Sequence, residues 1–278
     1  MEEWRFLELE FPDNPAMNLA IDEAILDAVL EGCVSPTLRL WRNDRSVIVG
    51  RFQRVRDEVD LDLCMREGVS VVRRISGGGT VYQDLGNLNY TMVLTGEDRL
   101  IKGLGVAESY RVLCSWLQRA LKLMGLNPEF RPPGNILING KKVSGSAQLR
   151  RKEGVLHHGT LLVSADLNLM KRVLKAWRDD YEGGVIVSAS MPVTNLRDEL
   201  EVEVDFDELK FWMIENGIYY AIDNSRNILS AEKINEPDKY KIKRINSNGA
   251  NLRMGYFDGK VVYTEYKEKR CFLKMCEF

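Results

Sequence analysis

Apolar residues along this chain come mostly in short runs separated by polar turns, with a few longer stretches at helical spacing. Trp4, Phe6, Leu7 and Leu9 predict an edge strand over residues 4–11. Asn14-Pro15 supplies a cap and a proline at the first helical position, and Met17, Ile21, Ala24, Ile25 and Ala28 then follow as a core-facing stripe ending near Gly32. Residues 37–41 and 47–52 read as two short strands around the turn-like Asn43-Asp44, and 57–67 as a helix with one polar side. A strand over 69–75 delivers the chain into three consecutive glycines, and 90–94 reads as a buried strand beyond them. Val106, Tyr110, Leu113, Leu117, Leu121 and Met124 make the apolar stripe of the longest helix, which Gly125 ends.

The clearest hairpin spans residues 136–144, where Asn139-Gly140 between two β-prone runs favours a type I′ turn. Alternation along its return strand puts Lys142 and Ser144 on one face and Lys141 and Val143 on the other. Gly145, Ser146 and Ala147 are all small and leave room against the backbone. Residues 157–163 form a further strand, with His157 and His158 on opposite faces. Residues 166–177 read as an amphipathic helix, 193–196 open a turn, and Asp205-x-x-Glu208 resembles a capping box for a helix that Gly217 ends. From about residue 228 the character changes. This tail holds 11 Lys and Arg against 7 Asp and Glu, few large aliphatics, and a hairpin turning at Asp258-Gly259. The pattern predicts an α+β, mainly antiparallel main domain over residues 1–227, with a small basic appendage over 228–278.

Composition narrows the partners. The whole chain of 278 residues carries a net charge of −2, which argues against bulk nucleic acid as the main partner. No apolar run is long enough to span a membrane, and the opening Met-Glu-Glu-Trp-Arg does not read as a signal peptide. Cys33, Cys64, Cys114, Cys271 and Cys276 are scattered, with no Cys-x-x-Cys and only two histidines, so no structural metal site is expected. Reduced thiols in a cytoplasmic protein fit this usage.

Candidate chemistry gathers around residues 73–87. Three glycines need a reason inside a strand-rich segment, and Arg73-Arg74 precede them. Backbone amides free of side chains beside fixed guanidinium groups suit an anionic ligand. The two common nucleotide motifs, G-x-x-x-x-G-K-[ST] and a helix-opening G-x-G-x-x-G, are both missing. No obvious nucleophile–base pair is present either. What remains is Arg73, Arg74, the glycines, Lys142 and the small residues 144–147. Taken alone Lys142 is an ordinary hairpin lysine; with the glycines it suits adenylation or another acyl or phosphoryl transfer.

Three blocks carry a resemblance. Arg-Arg-x-Ser-Gly-Gly-Gly-Thr-Val-Tyr-x-Asp-x-Gly-Asn (73–87), Gly-Lys-Lys-Val-Ser-Gly-Ser-Ala-Gln (140–148) and His-His-Gly-Thr-Leu-Leu (157–162) together resemble the lipoate–protein ligase A family. That family shares a class II synthetase-like fold with biotin–protein ligases and octanoyltransferases. Residues 15–24 and 193–196 are also similar to its members, so the likeness runs from about residue 4 to about residue 222.

The resemblance implies ATP-dependent activation of lipoate to lipoyl-AMP, then transfer to a lysine of an acceptor lipoyl domain. ATP enters as its Mg²⁺ complex, and no tightly bound metal is implied. Carried over by position, Lys142 contacts both the activated carboxyl and the α-phosphate. Arg74, Ser76, Gly77, Gly78, Gly79, Thr80, Val81, Tyr82, Asp84 and Asn87 supply the adenylate site, with Asp84 helping to hold Mg²⁺. Arg74, Gly79, Lys142, Ser144, Gly145, Ala147, His158 and Gly159 line the lipoyl site. The implied partners are lipoyl domains of 2-oxoacid dehydrogenase E2 subunits and the glycine cleavage H protein, with an accessory ligase subunit where the tail does not replace one. The rivals are an octanoyltransferase, which needs a thiol near Lys142 where residues 127–140 hold none, and a non-catalytic or split-ligase subunit.

Overall fold

The computed structural model describes residues 4–182, 186, 188 and 190–214, together with the backbone of four strands between 243 and 276. The chain opens with β1 (Arg5–Leu7), α1 (Pro15–Leu30), β2 (Thr37–Trp41) and β3 (Ser46–Val49). Two short helices, α2 (Val55–Glu58) and α3 (Leu61–Arg66), lead to β4 (Ser70–Arg73), β5 (Val81–Gln83) and β6 (Asn87–Thr95). The long α4 (Val106–Leu123) precedes β7 (Pro128–Arg131), β8 (Asn135–Ile138), β9 (Lys141–Arg151) and β10 (Gly154–Leu162). Helices α5 (Leu167–Val173), α6 (Leu196–Leu200) and α7 (Phe206–Trp212) follow, then β11 (Lys243–Ser247), β12 (Ala250–Phe257), β13 (Lys260–Lys267) and β14 (Arg270–Cys276).

Among the described residues the strands form one large sheet in the order β11-β12-β13-β14-β1-β2-β6-β10-β9-β8-β7, and a small one in the order β4-β3-β5. Pairing is antiparallel except between β1 and β2 and between β3 and β4. Two isolated βαβ units thus sit inside the mainly antiparallel frame that the sequence predicted. The strand predicted at an edge, β1, is paired on both sides, because β14 adds to it antiparallel. The strands read around Asn43-Asp44 enter different sheets, β2 the large one and β3 the small one.

Alternation in the large sheet builds two chemically distinct faces. On one, Leu38, Leu40, Tyr90, Met92 and Leu161 pack against Leu113, Trp116, Leu117 and Leu121 of α4. On the other, Val93 and Leu156 pack against Ile25, Leu26 and Val29 of α1. Helix α1 is capped as predicted, the Asn14 side chain accepting from the Met17 amide at 3.0 Å. Its buried side also carries Asn18 and Asp22, which a purely apolar reading missed. Both meet Arg39, whose Nη1 lies 2.6 Å from Asp22 Oδ1, with all three side chains closed to solvent. A buried pair of this kind is tolerated because each remaining polar atom is also satisfied.

The helix predicted over 57–67 breaks into α2 and α3, since Val59 bridges to Leu174 and Asp60 caps α3 through the Leu63 amide. The predicted C-terminal hairpin is present in the pairing of β12 with β13, whereas its turn at Asp258-Gly259 lies outside the described residues. The Gly217 helix stop and the boundary at residue 227 also lie outside them.

Candidate active site

A cavity of about 270 Å³ opens between the small sheet and the α1-side face of the large one. Leu19, Trp41, Ile48 and Val81 give it an apolar wall. Arg74, Gly78, Gly79, Lys142, Gly145, Ala147 and His158 give it a polar one.

The glycine segment is a tight loop between β4 and β5. Gly78 has φ +84°, a conformation that a side chain would strain. Its carbonyl packs so closely on Gly50 that a Cβ at residue 50 would overlap it, at 2.0 Å. A loop folded this sharply turns its carbonyls inward, and buried carbonyls need donors. Arg74 supplies them within the loop, and Arg73 serves the neighbouring turn after β3. Arg74 donates from Nη2 to the carbonyls of Gly77 (2.6 Å) and Gly79 (2.7 Å), from Nη1 to Ile48, and from Nε to Ser76 Oγ. Arg73 Nη1 donates to the carbonyls of Gly50 and Gln53. The pair that the sequence offered to a ligand is therefore engaged first by backbone, Arg74 by the glycine loop and Arg73 by the turn after β3, and only Arg74 reaches the cavity. The Thr80 amide donates to Ser188 Oγ at 2.9 Å, which ties the loop to the segment passing over it.

Lys142 reaches the cavity by a route that alternation did not predict. The register between β8 and β9 shifts at Ile136 and Leu137, leaving Val143 as an extra residue on β9. Val143 and Ser144 both turn to the α4 face, where the Ser144 hydroxyl lies 3.3 Å from the Tyr90 hydroxyl. Lys142 turns the other way, its Nζ lying over Gly145. Its backbone is clamped on the outer side, where its amide donates to Pro192 and its carbonyl accepts from Thr194. Among the described residues no carboxylate pairs with its ammonium. Burial, and secondarily the Arg74 charge, push its pKa down to about 8. An ammonium held this way gains from any anion that enters.

Ten of the predicted residues line the cavity: Arg74, Gly78, Gly79, Thr80, Val81, Lys142, Gly145, Ala147, His158 and Gly159. Six do not. Ser76 is closed to solvent, and Gly77 faces the exposed Phe52 ring rather than the cavity. Tyr82 alternates away from Val81 and packs with Val47, Val59 and Val173. Ser144 is turned by the bulge. Asp84 and Asn87 build the turn into β6: Asn87 Oδ1 accepts from the Asp84 amide, and the two Asp84 oxygens accept from the amides of Gly86 and Asp166. Asp84, which the resemblance implied as a Mg²⁺ ligand, thus lies outside the cavity lining, with each oxygen accepting one backbone amide. Among the described residues no three His, Cys, Asp or Glu side chains gather as a metal site. Trp41, Ile48, Gln83, Thr160 and Ser188 line the cavity without having been singled out. The first two sit in apolar strand runs, where a cavity wall and a core position look alike.

The histidines separate as alternation required. His158 faces the cavity. His157 is fully buried on the α4 face, its Nε2 3.8 Å from Cys114 Sγ, and burial followed by the neighbouring His158 holds its pKa down to about 3. Among the described residues no cysteine lines the cavity. Cys114 lies one layer behind it, 3.5 Å from Ser146 Oγ, its thiol pushed up to about 11 by burial.

Comparison with known proteins gives the same family. Residues 14–216 match the model of the lipoyl protein ligase A/B catalytic domain. Lipoate-protein ligase A subunit 1 of Thermoplasma acidophilum is 35% identical over 216 residues, covering 73% of this chain and 79% of the relative. An octanoyltransferase of Brevibacillus brevis is 33% identical over 198 residues, covering 63% of this chain and 71% of that one. Among solved structures, one of a bipartite lipoate–protein ligase and its E2 lipoyl domain from Thermoplasma acidophilum superposes with a TM-score of 0.68 at 33% identity, covering 85% of this chain and 89% of that one. A lipoate–protein ligase A bound with ATP gives a TM-score of 0.66 at 33% identity, covering 84% of this chain and 90% of that one. The α+β frame is thus the class II synthetase-like fold of the lipoate ligases, and the chain belongs to the lipoyl protein ligase A/B catalytic family of ligases and acyltransferases.

Proposed function

We propose that this chain is an ATP-dependent lipoate–protein ligase. The observation that carries the reading is the Lys142 ammonium, without a carboxylate partner among the described residues, facing a cavity with one apolar and one polar wall. The apolar wall suits an acyl chain, and Lys142 is then placed for its carboxylate. A carboxylate oxygen attacks the α-phosphorus of ATP, forming the new P–O bond as pyrophosphate leaves with the electrons of the old one. The neutral amine of an acceptor lysine next attacks the acyl carbon; the C–N bond forms, AMP departs, and the amine proton is lost. Charge grows on phosphoryl oxygens in the first step and on the acyl oxygen in the second, and Lys142 opposes both. Mg²⁺ enters with the nucleotide. The E2 lipoyl domain paired with the Thermoplasma relative supports a lipoyl domain as acceptor, and the H protein carries the same acceptor lysine chemistry. The bipartite organisation of that relative raises an accessory subunit as a partner here too, unless residues 228–278 replace it.

An octanoyltransferase would need a thiol in the cavity. The purified chain with ATP, lipoate and an acceptor lipoyl domain separates the readings. Cys114→Ala is expected to keep ATP-dependent acceptor modification within about twofold of the parent, since the thiol does not line the cavity. Modification that needs acyl carrier protein and disappears with Cys114 would overturn the ligase. Tight binding of lipoyl-AMP without its synthesis would mark a subunit of a split enzyme.

A pH dependence follows from Lys142. Its pKa of about 8 means that the cationic form is lost as pH rises through 8. Affinity for a non-hydrolysable lipoyl-adenylate is expected to be flat below pH 7.5, then to fall by up to ~10-fold per unit between 8 and 10. Calorimetric titration across this range reads it, and an affinity unchanged at pH 9.5 would remove Lys142 as the binding cation.

A further inference from the structure

Behind the cavity wall a line of three side chains joins α1 to the glycine loop. Ser76 Oγ lies 2.6 Å from His158 Nε2, and His158 Nδ1 lies 3.5 Å from Asp22 Oδ2. Arg74 Nε donates to the same Ser76 oxygen at 3.0 Å. The Asp22 carboxylate, which can only accept, faces Nδ1 and favours the tautomer with the ring hydrogen there, so that Nε2 accepts from the Ser76 hydroxyl. Asp22 is fixed at its other contacts by Arg39 Nη1 (2.6 Å) and the Thr91 hydroxyl (2.8 Å).

Asp, His and Ser in this order resemble a nucleophile relay, yet the surroundings rule out attack by Ser76. Its side chain is closed to solvent and absent from the cavity lining, and the guanidinium on its oxygen lowers its nucleophilicity. What the line does reach is the loop, because Arg74 also holds the Gly77 and Gly79 carbonyls. His158 is the member that faces the cavity, so a bound ligand touches the line there.

We propose that Asp22 and Ser76 are positioning residues for acid activation, acting through His158 and Arg74 to hold the glycine loop against the reacting groups. The proposal rests on the ligase reading for its kinetics, though not for its structural readout. Hydrogen exchange of the amides of residues 75–82 in the ligand-free chain reads loop order without any reaction. Ser76→Ala and Asp22→Asn are each expected to speed that exchange about tenfold, the worth of one buried hydrogen bond. Should Asp22→Asn fail to fold beside the buried Arg39, Ser76→Ala carries the test. In pyrophosphate release, Ser76→Ala lowers kcat by about tenfold with the KM for lipoate unchanged, as expected for a misplaced loop around an intact acyl pocket. The Ser76→Ala/His158→Ala double variant is no slower than the slower single one, and His158→Gln, whose Oε1 accepts where Nε2 did, recovers most of kcat. Loop exchange equal to the parent in Ser76→Ala overturns the proposal, and so do multiplicative losses in the double variant. A parent chain that neither makes nor binds lipoyl-AMP, yet shows the exchange effects, refutes the ligase reading and leaves the loop-holding line standing.

Discussion

Lys142→Ala is expected to abolish lipoyl-AMP formation while leaving the chain folded. Losing one oriented donor at a developing oxyanion costs about 10²–10³ in rate. Lys142 brings a full charge rather than a neutral N–H, in a site where burial already disfavours that charge. A loss of at least ~10³ in pyrophosphate release follows, with transfer from preformed lipoyl-AMP falling as well, because both steps build charge at the same point. Arginine should not rescue it. The ammonium is a compact point charge over Gly145, and a planar guanidinium on a longer stem spreads its charge and places it elsewhere. Stability moves the other way. Since the folded pKa is lowered from 10.5 to about 8, the unfolded chain binds more protons between those values, and stability rises with pH through that window. At neutral pH the buried ammonium is a net cost. Lys142→Met, which keeps the stem and deletes the charge, is expected to raise the melting temperature at pH 7 while remaining inactive. Near-parental pyrophosphate release by Lys142→Ala would sink the assignment of the site.

How far the sequence revealed this site depends on the range of the interaction concerned. The Asn139-Gly140 turn was legible because its chemistry is local: both residues take positive φ, +49° and +75°, as a type I′ turn requires. The opposite facing of His157 and His158 was legible for the same reason, strand alternation being a neighbour effect. Ser144 was misplaced because the bulge at Val143 accompanies pairing with residues 192–194, some fifty positions away. The two arginines were read as ligand-binding groups. Nothing local reveals that the carbonyls of the glycine loop engage Arg74 first, or that those of the turn after β3 engage Arg73. Asp84 and Asn87 lie in the same motif as the glycines, yet they shape the turn beyond it. A motif block, in other words, mixes residues that meet the ligand with residues that shape the backbone for them. Asp22 was invisible for a further reason, since one carboxylate in a helical stripe announces no partner until Arg39, Thr91 and His158 converge on it.

The glycine after the bulge offers the sharpest separation of activity from stability. A Cβ at Gly145 would stand 2.6 Å from both Cε and Nζ of Lys142. The obstructed atoms are the free end of a flexible side chain, so the chain accommodates the methyl by swinging the ammonium aside rather than by shifting backbone. Gly145 has no positive φ, so alanine adds no backbone strain there. Gly145→Ala is therefore expected to fold with a melting temperature close to the parent's. It should nonetheless lose roughly 10² in acid activation, because displacing a charged group by an ångström forfeits most of its oriented stabilisation. Gly50→Ala is the contrasting case. There the methyl meets the Gly78 carbonyl at 2.0 Å, backbone against backbone, and nothing flexible can give way. That variant should lose stability and activity together. Paired thermal melts and pyrophosphate-release assays on the two proteins decide the matter. Full activity in Gly145→Ala would show that the position of the ammonium over Gly145 is not the working one, and equal destabilisation of both variants would show that residue 145 shapes the sheet rather than the charge.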